Sequence, residues 1–328
     1  MRTFQFKNKP VIIGTSSVGG PKECDGAIGK YIKTKLCDDT CGEKTFEKAE
    51  CRMLYTAIKN AVGESGKNEN EIDAIIAGDL LDQIIASTFA ARSFPCGYLG
   101  LYNACATFAE TLIVGGALID GGYIRNAVCA TSSHFSSAER QYRYPLELGS
   151  TRPPQSQWTV TGAGACVLSE GGEGLKLTAA TIGRIVDYGV TDANNMGAAM
   201  APSAADCLIT HFKESGSLPN DYDLIVSGDL GTLGSRILKD LTWEKGYDIE
   251  KNHVDCGELV YNIRENEYQG GSGAGCSSLT FCSYIYRKMQ QGKYNKILLM
   301  TTGALLSSLS SQQGESIPGI AHAVVIER

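Results

Sequence analysis

Cys105 sits in Asn103-Ala-Cys-Ala-Thr107, between a Gly/Leu/Tyr stretch that reads as a strand and an apolar helix that runs to Leu118. A thiol at a helix start lies in the field of unpaired backbone N–H groups, which lowers its pKa and suits a nucleophile. The competing reading is a small buried hydrophobe at a tight junction. Cys276 opens a second helix, after Gly270-Gly-Ser-Gly-Ala-Gly275, whose glycines let backbone approach a ligand or the twin helix. His134 ends Thr131-Ser-Ser-His134, and Arg140 and Arg143 follow it. One imidazole and two guanidiniums suit a carboxylate-bearing ligand, because arginine grips a carboxylate through two parallel hydrogen bonds. The bland alternative is a solvated loop of ordinary surface charges. Asp79 and Asp229 close two similar strands, where a carboxylate can equally cap the next helix or hold a loop. The Asp79-Leu-Leu-Asp82 pair adds a second acid at the strand end expected to neighbour the Cys105 helix.

The elements that must position these groups occur twice. Cys105 and Cys276 lie 171 residues apart, and so do Arg125 and Lys296, which open matching strands. Ile72–Leu80 recurs as Tyr222–Leu230, and Gly162–Leu168 recurs as Gly319–Val325. Strand and helix alternate in each copy, which argues for mostly parallel sheets covered by helices, with sites at the carboxyl ends of the strands. The fold class is therefore α/β, built from two βαβαβ-type halves over residues 1–170 and 171–328. Thr45 is expected to cap a helix whose apolar positions run from Ala49 to Val62. Residues 17–44 and 134–156 read as long functional loops, and 253–268 as a hairpin-like insertion.

Composition narrows the function. The chain has 328 residues, 43% of them apolar, which is enough to fill a substantial core. A formal net charge of −6 without a basic block excludes nucleic acid as an expected partner and gives an anionic membrane no general attraction, although a local basic pocket can still hold a small anion. There is neither an apolar run of membrane-spanning length nor a signal-like start, so a soluble protein is expected. The twelve cysteines lie mostly in apolar segments and read as reduced, buried thiols. Cys37 and Cys41 lack a second Cys/His pair at finger spacing, so no structural metal is expected. Gly271-Ser-Gly-Ala-Gly275 follows a polar loop where a dinucleotide site needs a strand, so no cofactor is expected.

A duplicated half with a cysteine at the helix start resembles the thiolase superfamily, which implies two similar halves packed in alternating helix and sheet layers. A set of motifs spread from end to end resembles one branch of it, the stage V sporulation protein AD family of spore-forming bacteria. These motifs are Gly20–Glu23, Ala77–Leu81, Gly116–Gly122, Ala130–His134, Ala138–Pro145, Ser203–Asp206, Gly303–Ser307 and Glu315–His322.

The resemblance implies a non-catalytic protein that binds dipicolinic acid, pyridine-2,6-dicarboxylate. It implies membrane subunits of a transport complex as partners, uptake of the ligand with calcium during sporulation, its release in germination, and association with the forespore or spore inner membrane. Carried onto this chain, the pocket falls on Asp79, Cys105, His134, Arg140 and Arg143, with Cys276 and His322 as candidates for a second-half wall. Arg140 and Arg143 would pair with ligand carboxylates, and N–H groups at the Cys105 helix start would add donors. Asp79 is awkward beside an anion, so binding is expected to strengthen with calcium or mild acidity. Superfamily members are often dimers, which leaves a homodimer open.

Condensing enzymes of the superfamily pair their cysteine with second-half histidines, whereas this chain has Cys276 at one such place and Ser227-Gly-Asp-Leu230 at another. Only His253 and His322 remain as sources of a base for Cys105. Two alternatives stand beside the binding reading: a Cys105-dependent condensing or acyl-transfer enzyme, and an architectural subunit with a relic pocket.

Overall fold

Neighbouring residues along the central strands feed different cores, which is why their sequences read as nearly continuous apolar runs. The computed structural model describes residues 1–143, 145–146, 152–262 and 268–328. The first half contains β1 (Thr3–Gln5), β2 (Val11–Gly19), α1 (Pro21–Asp25), β3 (Thr34–Lys35), α2 (Phe46–Glu64), β4 (Ala74–Gly78), α3 (Ile85–Ala91), β5 (Gly97–Gly100), α4 (Thr107–Asp120), β6 (Asn126–Ser133), α5 (Phe135–Tyr142), β7 (Trp158–Thr159) and β8 (Gly162–Ser169). The second contains β9 (Leu175–Thr181), α6 (Met196–Ser215), β10 (Leu224–Ser227), α7 (Gly231–Trp243), β11 (His253–Asp255), α8 (Cys256–Val260), β12 (Gly271–Ser272), α9 (Ala274–Thr280), a π turn (Phe281–Ile285), α10 (Tyr286–Gln290), β13 (Lys296–Ala304), α11 (Ser308–Gln312) and β14 (Gly319–Glu327).

The strand order runs β11-β10-β13-β14-β9-β2-β8-β6-β4-β5. Counting only the five strands of each half on this path, each half repeats one order: its first strand, then fifth, fourth, second and third. The repeat holds to the residue, since Ser133 pairs with Gly162 as Ala304 pairs with Gly319, and Ala130 with Ala165 as Thr301 with His322. The two sheets join where Val11 and Ile12 pair with Lys176 and Leu175.

Ala127, Cys129, Ile297, Leu299, Val324 and Ile326 face a central layer with Phe108 and Leu112 of α4 and Leu279 of α9. Val128, Ala130 and Val167 instead meet Met53, Leu54 and Ile58 of α2, while Leu298, Met300 and Val325 meet Met200, Leu208 and Phe212 of α6. The result is helix, sheet, helix, sheet, helix, with the two cysteine-bearing helix starts in the middle. Phe108 and Phe281 meet there, their ring centroids 5.8 Å apart.

Thr45 caps α2 as expected, its hydroxyl accepting from Lys48 N–H. Three sequence expectations change. Residues 17–44 carry α1 and β3, which pairs with β2, and are not one long loop. Residues 135–142 form α5, whose Phe135 N–H donates to Thr161 Oγ1 and whose N-cap is His134. The 253–268 insertion, expected as hairpin-like, begins as β11, a parallel edge strand on β10, followed by α8. Tyr144 and residues 147–151 and 263–267, which belong to the segments read as loops, lie outside the described residues.

Candidate functional site

Cys105 is presented by a turn, and α4 begins only at Thr107. Ala104 takes φ 49°, a left-handed conformation that costs a non-glycine residue about 1 kcal/mol. Thr107 holds it: its hydroxyl donates to Ala104 O at 2.7 Å and accepts from Asn103 N–H at 3.0 Å. This elbow turns the thiol into a narrow cleft whose cavity volume is about 50 Å³. Leu80, Tyr102, Ala138, Tyr142, Arg143 and Thr159 border it from the first half, and Met196, Met200, Ser272, Ala304 and Leu306 from the second. The walls are mainly apolar with a few converging polar groups, the pattern of a small-molecule site.

The thiol is not activated. Burial raises the Cys105 pKa well above its usual value, and Asp229 raises it further. The helix-start donors expected to stabilise a thiolate are already engaged. Ala106 N–H donates to Asn103 O, Thr107 N–H to Ala104 O, and Ala109 N–H to Thr301 Oγ1 of the second half. The lowered pKa expected from sequence is therefore reversed.

Asp229 is the second-half residue that sequence reasoning weighed as structural. It stands behind the thiol: Cys105 Sγ is 4.0 Å from Ser272 Oγ, which donates to Asp229 Oδ2 at 3.1 Å. Gly273 N–H donates to the same oxygen at 3.0 Å and Thr302 Oγ1 to the other at 2.7 Å. Burial pushes the Asp229 carboxyl up to about 6 against these hydrogen bonds. Gly273 is needed here: its φ is +115°, and a Cβ would stand 2.6 Å from Ser133 Oγ.

Asp79, the topological twin, has the role that was considered for Asp229. It is fully buried, accepts Leu81 N–H at 2.9 Å and Ser87 N–H at 2.7 Å, and so holds the loop that presents Leu80. It does not border the cleft. The clash between Asp79 and an anionic ligand, which motivated the calcium and acid expectation, is therefore absent from this arrangement.

Helix α5 sorts the remaining residues by face. Ala138 and Tyr142, four apart, border the cleft, whereas Arg140 points the other way and pairs with Glu47 on α2. His134 is buried below: its Nδ1 accepts Ser136 N–H at 3.1 Å, so Nε2 carries the proton to Asp39 O at 2.7 Å. Burial lowers its pKa, so it is a neutral helix cap. Cys276 is fully buried in the central layer and His322 hydrogen-bonds Gly183 N–H at 3.1 Å; neither borders the cleft. The other candidate base, His253, reaches Ser227 Oγ at 2.9 Å, also away from it.

Of the expected ligand groups, the structure brings Cys105 and Arg143 together at the cleft. Arg143 gains a partner that sequence reasoning missed. Arg143 Nη1 donates to Glu139 Oε2 at 2.8 Å, and Arg152 Nη1 donates to the same oxygen at 3.1 Å. The Arg143 side chain is only 7% exposed and its Nε makes no hydrogen bond among the described residues. Among the described residues two guanidiniums thus share one carboxylate at the cleft wall, while the Asp229 carboxylate stands behind Ser272. Tyr102 and Tyr142 close the mouth, hydroxyl to hydroxyl at 2.9 Å, with Tyr142 donating to Leu80 O.

The comparisons agree with this architecture. The family model described as stage V sporulation protein AD (SpoVAD) matches residues 1–327. The chain is 41% identical to Stage V sporulation protein AD of Bacillus subtilis (strain 168) over 327 residues, covering 100% of this chain and 97% of that protein. Among solved structures, it resembles 3-oxoacyl-[acyl-carrier-protein] synthase III from Aquifex aeolicus VF5, with TM-score 0.59 and 15% identity over 97% of this chain and 100% of that one. It also resembles acetamide-bound OleA of Xanthomonas campestris, with TM-score 0.62 and 13% identity over 99% of this chain and 100% of that one. At such identities these two likenesses show the thiolase-like fold alone. The sequence match runs the whole length of that fold, so the chain belongs to the stage V sporulation protein AD family.

Proposed function

We propose that this protein is a non-catalytic, dipicolinic acid-binding component of a spore membrane transport complex, acting in uptake of calcium dipicolinate during sporulation and its release in germination. The observation that carries the reading is the Arg143 guanidinium at the cleft: Arg143 and Arg152 share one oxygen of Glu139, and Arg143 Nε is buried without a partner among the described residues. A buried guanidinium with an unmet donor favours an incoming carboxylate. Leu80, Met196, Met200 and Ala304 offer apolar walls to a flat ring, and the Thr159 hydroxyl offers a donor to its second carboxylate, the Ser272 and Tyr102 protons being engaged by Asp229 and Tyr142. With Asp79 engaged by backbone N–H groups, calcium enters as the ligand's own counter-ion.

The absence of turnover rests on the thiol. Cys105 is held protonated by burial and by Asp229, and among the described residues no histidine borders the cleft. Acyl transfer needs a base within hydrogen-bond reach of its nucleophile. Titration calorimetry with pyridine-2,6-dicarboxylate tests the binding half of the reading, with pyridine-2-carboxylate as control: tight binding of the first and weak binding of the second is expected, and no binding of either rejects it. The acyl-transfer alternative is kept by one observation, that Cys105 faces the cleft. Mass-spectrometric capture of an acyl adduct on Cys105 from acyl-coenzyme A thioesters would establish it.

A further inference from the structure

Far along the chain from the cleft residues, a 3-10 turn (Gly29–Tyr31) and the helix after the π turn bring together a set of cations that the overall charge conceals. Tyr284 of the π turn and Arg287 and Lys288 of α10 converge on Tyr31. Tyr31 meets Tyr284 edge-on, their ring centroids 5.0 Å apart. Around Tyr31 lie Lys288 Nζ at 5.1 Å, Lys30 Nζ at 5.3 Å and the Arg287 guanidinium carbon at 5.7 Å from the ring centroid. Lys293 Nζ sits 5.2 Å from the Tyr294 ring, beside the same helix. Lys30, Arg287, Lys288 and Lys293 make no ion pair among the described residues. Four cations concentrated on one face stand out in a chain of net charge −6.

We propose that this face docks onto an anionic lipid surface. Three of its four cations are lysines, compact point charges on flexible stems that need no fixed acceptor geometry, and mobile headgroup phosphates offer none. The tyrosine rings between them are the amphipathic side chains favoured at headgroup level, with an apolar ring and a polar tip. An acidic peptide, by contrast, is best held by several arginine forks, and this face has one arginine. The patch supplies peripheral attachment to a chain in which, among the described residues, no helix is long and apolar enough to cross a membrane. The proposal does not depend on what the cleft binds.

Vesicle co-sedimentation of the full chain tests it, comparing pure phosphatidylcholine with a mixture containing 30% phosphatidylglycerol, taken as roughly the anionic content of a charged leaflet. Binding to the anionic vesicles is expected, with loss in about 0.5 M salt, where charge interactions are screened within a few ångströms. The triple variant Lys30→Gln, Arg287→Gln, Lys288→Gln lowers the partition coefficient by about 100-fold. The control triple Lys7→Gln, Lys213→Gln, Lys245→Gln, which removes the same charge from other exposed sites, changes it little. Equal loss in both triples, binding that ignores salt, or wild type that ignores lipid charge overturns the proposal. Capture by polyglutamate without capture by vesicles also overturns it and reassigns the face to an acidic protein partner. The salt series on the wild type keeps the test informative if a variant folds poorly.

Discussion

Replacing Asp229 by asparagine should make Cys105 more reactive, although the two residues lie in different halves of the chain. The carboxylate stands one hydroxyl behind the thiol, with 4.0 Å from Sγ to Ser272 Oγ and 3.1 Å from that oxygen to Asp229 Oδ2. A thiolate and a carboxylate roughly 5–7 Å apart repel by about 2–3 kcal/mol at an effective dielectric of about 20. Removing that charge lowers the thiol pKa by about two units, which at pH 8 raises the thiolate fraction about 100-fold. A less basic thiolate is also a weaker nucleophile, so the net gain in alkylation rate is about ten-fold. The assay is isotope-coded iodoacetamide labelling at pH 8, read peptide by peptide, with buried Cys129 and Cys276 as internal references. Unchanged or slower labelling of Cys105 in Asp229→Asn would refute the electrostatic argument, and equal acceleration at all three cysteines would show general loosening instead.

Other outcomes follow from the same network and its surroundings. Burial raises Glu23 and Asp255 to about 7 and Glu50 well above its usual value, so the folded state holds these protons where the unfolded chain has lost them. Their contribution is lost as pH rises, and between pH 6.5 and 8 urea unfolding should show a fall in stability on the order of 2 kcal/mol. Below pH 6.5, His211, His253 and His322, held near 4, 3 and 4 by burial, lose stability as pH falls and offset the acids, so the profile should be nearly flat there; a steep rise toward acid would contradict the assignment. Gly273→Ala should destabilise by about 1–3 kcal/mol, because φ +115° and the Ser133 contact both oppose a Cβ; a neutral thermal melt would show that the turn relaxes.

The duplication was legible because spacing survives where residue identity does not. The 171-residue offset that relates Cys105 to Cys276 also relates Ser133 to Ala304, and the sheet pairs both with the equivalent glycine of their own half. The choice of cysteine at the cleft was legible too, since Cys105 borders it. What could not be read was the direction in which side chains turn. Arg140 and Arg143 belong to one basic segment as a string, but once 135–142 is a helix, three residues place them on different faces. Reading that segment as a loop hid the difference. Asp79 and Asp229 are equivalent by position, and only the third dimension shows one spent on Leu81 and Ser87 N–H and the other set behind the thiol. Ser272 and Tyr102 gave no local signal, because each acts through a neighbour far away in sequence. Arg152 offered one clue, a third arginine soon after Arg140 and Arg143.

The central claim is that the cleft is a carboxylate-binding pocket built on Arg143 and not a reaction centre built on Cys105. Calorimetric titration of pyridine-2,6-dicarboxylate into wild type, Arg143→Met and Cys105→Ala tests it in one series. A buried charge-assisted pair is worth roughly 2–5 kcal/mol when one side is truncated, so Arg143→Met should weaken binding by about 30-fold or more, while Cys105→Ala should weaken it by less than about three-fold. Undiminished binding in Arg143→Met, or binding abolished by Cys105→Ala in a protein that still melts as the wild type does, would contradict the account.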